Sequence, residues 1–187
     1  KKISRVGEVV AGDRRFAFIQ ARNLGQRSLG DGRGFADGIY ITGEEGGTNR
    51  FLALDVANRD FYQVSGSAGN SGEGGLAGMP FDALENVALL DTSETNHVAI
   101  LLSPDGGTST LRLYVGVKGK DVTGAASDSF LARNGLAYGS YYYLNDSLPA
   151  SGTSTDGFFD TTSLGSLVSG KLEDVDTNPN DPTQMVI

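Results

Sequence analysis

Short apolar runs separated by turn-forming residues dominate this chain. Phe16-Ala17-Phe18-Ile19, Ile39-Tyr40-Ile41, Phe51-Leu52-Ala53-Leu54, Val98 to Leu102, Leu111 to Val115, and Leu136 to Leu144 with its Tyr141-Tyr142-Tyr143 each span a strand's length. Between them lie clusters of Gly, Asp, Asn and Ser, the residues that supply tight turns. Aromatic and β-branched side chains fit a pleated surface, so the pattern predicts β-strands throughout. No convincing amphipathic helix is present.

Two internal echoes organise these runs. Ile39-Tyr40-Ile41-Thr42, the turn Gly43 to Thr48 and Phe51-Leu52-Ala53-Leu54 repeat sixty positions later as Ala99-Ile100-Leu101-Leu102, Ser103 to Thr108 and Leu111 to Val115. Both read strand, acidic Gly-Gly-Thr turn, strand. Eighty-eight positions separate the second pair. Leu84-Glu85-Asn86-Val87 with Asp91-Thr92 matches Leu172-Glu173-Asp174-Val175 with Asp176-Thr177, and each leads to another apolar run. Repeated strand–turn–strand units predict an all-β, propeller-like fold of antiparallel blades, in which matching positions converge near a central channel.

The 187 residues are expected to form a single β-rich domain or partial propeller, with residues 145–170 as an exposed polar insertion. Gln184-Met185-Val186-Ile187 reads as a strand just beginning, so a fragment of a larger propeller is expected. That open edge is also where self-association would occur. The chain starts on Lys1 rather than Met, as after removal of a leader.

Charge narrows the function classes. Asp and Glu number 23 against 15 Lys and Arg, a net charge of −8. Such a balance argues against nucleic acid, whose phosphates are met by basic residues, and suits divalent cations. No run is long enough to span a membrane. With no cysteine and one histidine, disulfides, thiolate ligands and His-rich metal sites are excluded.

Carboxylates at the ends of the expected strands are then the candidate chemistry. Glu44-Glu45 lies beside glycines that permit close backbone approach. Asp105 is its echo in the later unit. Glu85 and Glu173 each interrupt Leu-Glu-(Asn/Asp)-Val, where a carboxylate entering a core needs a partner or a cation, and Asp174 follows. His97 reads as a solvent-facing turn residue, and Asp176 to Asp181 as a turn rather than a calcium loop. No residue is assigned a catalytic role.

Ile39 to Glu45 followed by Leu52-Ala53-Leu54-Asp55 resembles the strand-Gly-Glu-Glu segment of the PhoX-type alkaline phosphatases. Leu84 to Thr92, Leu101 to Asp105 and Leu113 to Gly116 are similar to the blade that follows. Arg133-Asn134-Gly135-Leu136, Lys171 to Val175 and Thr177-Asn178-Pro179 continue the order, so the resemblance covers about residues 35–187. It implies an extracellular or periplasmic propeller that hydrolyses phosphate monoesters, using calcium and iron held by central carboxylates. Glu45, Glu85 and Glu173 are then the first metal ligands expected, with Glu44, Asp105 and Asp174 behind them. The family's cysteine iron ligand has no counterpart in residues 16–38, which leaves calcium as the better-suited cation. Two alternatives are a non-catalytic calcium-stabilised surface or matrix protein and a β-rich assembly module.

Overall fold

The computed structural model describes residues 2–3, 16–19, 32–44, 51–65, 84–104, 109–145, 158–160, 168–169, 175–178 and 180–186. Strands and turns make up nearly all of them, as the sequence pattern predicts.

The first sheet contains β1 (Lys2–Ile3), β2 (Phe16–Ile19), β3 (Ile39–Glu44), β4 (Phe51–Asp55) and β5 (Asp60–Ser65), in the order β1-β5-β4-β3-β2. All pairings are antiparallel, with Ile41 opposite Ala53 and Ala53 opposite Tyr62. Strands β2 to β5 thus form a meander, and β1 closes its outer edge.

The second sheet repeats the arrangement. It is built from β6 (Leu84–Leu90), β7 (His97–Pro104), β9 (Arg112–Val117), β10 (Gly139–Asn145) and β11 (Phe158–Asp160), ordered β11-β10-β9-β7-β6. The sixty-residue echo falls on equivalent hairpins, β3–β4 in one sheet and β7–β9 in the other. Between β7 and β9, the two-residue β8 (Ser109–Thr110) pairs with β12 (Val168–Ser169). A hairpin of β13 (Asp176–Asn178) and β14 (Asp181–Val186) completes the described chain. Of the eighty-eight-residue echo, Leu84–Val87 lies in β6, whereas Leu172, Glu173 and Asp174 lie outside the described residues. Inside residues 145–170, β11 and β12 are each paired with an earlier strand.

Packing explains why β7 reads as an unbroken apolar run. Val98, Ile100 and Leu102 face the first sheet, where they meet Ile39, Ile41, Phe51, Ala53 and Val64. On the other face Leu101 packs with Ala88, Leu111, Leu144 and Val175, backed by Met185. The second sheet is covered on both sides at β7, so this interior strand carries apolar residues at successive positions from Val98 to Leu102 instead of alternate ones. Each fully buried large side chain contributes roughly 1.5–3 kcal/mol.

Local chemistry fixes the turns. Asp55 Oδ1 accepts the Ala57 and Asn58 N–H groups at 3.0 and 3.2 Å, and Arg59 then takes a left-handed φ of 61°. After β6, Asp91 Oδ1 accepts the Ser93 N–H at 2.8 Å and Ser93 has a φ of 60°. An aspartate that imitates a backbone acceptor makes each reversal compact.

The link from β9 to β10 carries a single-turn helix, α1 (Phe130–Arg133), in which the Ser129 Oγ caps the Ala132 N–H at 3.4 Å. Strand β10 starts at Gly139 rather than Leu136, because Leu136 and Ala137 are drawn into the core beside α1. Close approach makes glycine necessary here. A Cβ on Gly116 would lie 1.9 Å from the Gly135 carbonyl oxygen, and one on Gly139 would lie 2.4 Å from the Val115 oxygen. The Tyr114 ring covers this cross-strand glycine pair, and its hydroxyl donates to the Gly135 oxygen at 2.9 Å. Burial pushes the Tyr114 phenol well above its ordinary value. Among the described residues no helix is long and apolar enough to cross a membrane.

Candidate functional site

Loop 32–38, turn 91–96 and connection 118–138 meet at one end of the sheets. Arg33 Nη1 donates to Asp91 Oδ2 at 2.5 Å, and Lys118 Nζ donates to the Gly32 oxygen at 2.8 Å. Partial burial lowers the Lys118 pKa. The centre of this tied end is Asn134, which is fully buried. Its Oδ1 accepts the N–H groups of Ala36 and Asp37 at 2.9 and 3.0 Å. Its Nδ2 donates to Asp37 Oδ2 at 2.7 Å and to the Phe130 oxygen at 2.8 Å.

Charge is balanced around that carboxamide. Arg133 Nε donates to Asp37 Oδ2 at 2.6 Å, and its Nη2 lies 4.0 Å from Asp55 Oδ2. The Asp55 side chain is only 3 % exposed. Burial raises its pKa, but hydrogen bonds from the Asn58 side chain and from the Asn58 and Ala57 N–H groups, helped by Arg133, more than offset this. The net direction is downward. Every one of these polar groups is satisfied by its neighbours, which marks the cluster as a structural tie rather than a reaction centre.

The Arg33–Asp91 pair also orients the two sheets. It joins the loop leading into β3 to the residue that follows β6, and β3 and β6 are in contact. From this shared end β3 runs outward to Glu44, while β6 runs back from Leu84 and Glu85. The Glu44 and Glu85 backbones therefore stand at the ends of β3 and β6 away from the Arg33–Asp91 tie. Both sheets have an irregularity of register there. Leu84 faces Pro104 and Asn86 faces Ser103, so Glu85 is an extra residue in β6. In the first sheet Phe51 faces Ser65 and Leu52 faces Gln63, so Val64 is the extra one in β5. Such bulges often occur beside functional sites, where they redirect a strand.

Of the six carboxylates expected to bind metal, Glu44 and Glu85 are placed by their backbones. Glu45, Asp105, Glu173 and Asp174 lie outside the described residues. Among the described residues no three His, Asp or Glu side chains group as a metal site. His97 opens β7, and its Nδ1 lies 2.5 Å from Glu94 Oε2 and 3.0 Å from Asn96 Oδ1. This pairing is confined to a surface turn, as the position of the histidine predicts. Of the Asp176–Asp181 segment, Asp176–Asn178 is β13 and Asp181 opens β14, with Asn180 in a turn between them and Asp181 Oδ1 accepting the Thr183 hydroxyl at 2.6 Å.

Sequence reasoning quoted Asp55, Arg133 and Asn134 only within the family resemblance and gave no role to them or to Asp37. Each is a polar residue in or beside a turn, and nothing in its immediate neighbours reveals a partner almost a hundred positions away. A second feature missed in the sequence is a pocket of about 360 Å³ between β5 and the 118–138 connection, lined by Tyr62, Asp121, Val122, Ser129, Phe130 and Leu131.

No protein-family model matches the chain, and neither a curated protein nor a solved structure matches it.

Proposed function

We propose that this chain is part of a calcium-dependent phosphomonoester hydrolase of PhoX type, whose sheets are successive blades of a propeller. What supports the reading is that Glu44 and Glu85 stand on contacting strands of different sheets, each at the end away from the Arg33–Asp91 tie. Glu45 follows the first of them in sequence, and Asp105 follows Pro104, the register partner of Leu84. Carboxylates gathered from several strand ends are the hard oxygen donors that calcium takes.

The propeller reading draws on the meanders. Strand β2 begins one and β6 the other, these two strands touch, and the β13–β14 hairpin in turn touches β6. Radial blades bring their first strands side by side in this way.

Calcium held there would neutralise phosphoryl oxygens and favour attack on phosphorus. The chain's part is to present oxygen donors on strand ends fixed by two packed sheets. With no cysteine the donor set suits calcium better than iron. Weak carboxylate sites fill at the calcium concentrations found outside the cytoplasm, which agrees with an extracellular or periplasmic location.

The missing thiolate also favours a second reading, a calcium-stabilised surface protein without catalysis. One experiment separates the two: p-nitrophenyl phosphate hydrolysis with and without calcium, on the chain and on its Glu45→Gln and Glu85→Gln variants. Calcium-dependent turnover lost in both variants supports the hydrolase. Calcium binding without turnover leaves the second reading, and absence of binding removes both.

A further inference from the structure

We propose that the pocket between β5 and the 118–138 connection binds a small organic ammonium ion, with Tyr62 and Phe130 as its aromatic wall and Asp121 as its counter-charge. The site shares no residue with the Glu44–Glu85 end and does not depend on the hydrolase reading.

Three features carry the assignment. First, the pocket, about 360 Å³ in volume, is of a size that accepts a small molecule, and Val122, Leu131 and Ala137 give it apolar sides. Second, its aromatic wall is built from two elements distant in sequence. The Tyr62 ring of β5 stacks on the Phe130 ring of α1 with centroids 4.6 Å apart and planes at 23°. The Arg133 guanidinium already lies 5.3 Å from the Phe130 centroid, so this ring attracts cations in the fold itself. Tyr62, partly exposed and lining the pocket, is the surface left for a ligand.

Third, the one charged residue among the described lining is a carboxylate held in a fixed place. Asp121 Oδ1 accepts the Thr123 N–H at 2.8 Å, the Thr123 hydroxyl at 2.6 Å and the Ala125 N–H at 3.1 Å. All three bonds end on Oδ1, which fixes the carboxylate plane at the pocket's edge. The same bonds hold the carboxyl below its ordinary pKa, and it is ionised at neutral pH. A neutral apolar guest would desolvate that anion without compensation. A phosphate or carboxylate guest would be repelled by it. An alkylated ammonium ion meets both walls at once, since its methyl groups suit the apolar sides and its charge suits the exposed part of the Tyr62 ring and the carboxylate.

The test is a calorimetric titration of the full chain with choline and with 3,3-dimethylbutan-1-ol, its uncharged isostere. Choline is expected to bind saturably and about tenfold more tightly than the alcohol. Asp121→Asn retains an oxygen acceptor for the turn, and is expected to weaken choline about tenfold without changing the melting temperature; Tyr62→Leu provides an independent check with a similar loss. Equal binding of the two ligands, no saturable binding of choline, or unchanged affinity in both variants would overturn the assignment.

Discussion

Asn134 and Asp37 grip each other in both directions: the Asn134 Oδ1 accepts the Asp37 N–H at 3.0 Å while its Nδ2 donates to the Asp37 carboxylate at 2.7 Å. One carboxamide thereby fastens the connection carrying α1 to the loop that leads into β3. Both of its polar atoms are used twice, once for each partner segment or a neighbouring residue.

Removing that side chain strands several buried groups together. Asn134→Ala leaves the Ala36 and Asp37 N–H groups and the Phe130 oxygen without their partner, and is expected to cost about 2–4 kcal/mol. Urea unfolding measures it, and the loss should appear as a lower midpoint with an unchanged slope.

The Tyr114 contact separates packing from hydrogen bonding. Tyr114→Phe keeps the ring over Gly116 and Gly139 but removes the donor to the Gly135 oxygen, a loss of about 1–2 kcal/mol. Gly116→Ala places a methyl group 1.9 Å from that same oxygen, a backbone atom that cannot turn aside. Thermal melting should therefore rank Gly116→Ala well below Tyr114→Phe.

Asp55 gives the fold an acid limit. Its folded pKa is lower than that of the unfolded chain, so its contribution is complete above the ordinary carboxylate value, about 3.9, and is lost as the pH falls through the folded value. Asp55→Asn is expected to be less stable than the parent at pH 7, with the difference shrinking below about pH 4. Melting temperatures of both proteins across that range check the sign.

Strand content was readable because turn residues punctuate the chain so regularly. The echo of Ile39–Leu54 in Ala99–Val115 even located equivalent hairpins in two sheets. Strand β5 was harder to see: Asp60-Phe61-Tyr62-Gln63-Val64 mixes polar and apolar residues without clean alternation, because the extra residue Val64 breaks the period of two. Helix α1 has four residues, too few to show a helical period, and is held by Ser129 and by core contacts of Phe130 and Leu131. The Asn134 network depends on residues nearly a hundred positions apart, which only folding brings together. For the candidate carboxylates, sequence supplied the identities, and the fold sets Glu44 and Glu85 at the ends of β3 and β6 away from the Arg33–Asp91 tie.

A calcium titration of the chain, run as a double-mutant cycle on Glu44→Gln and Glu85→Gln, tests the proposed shared site most directly. If both carboxylates serve one ion, each single variant weakens binding by about tenfold or more and the double variant loses much less than the product of the two. Unchanged affinity in either single variant, or losses that simply multiply, would contradict a shared site.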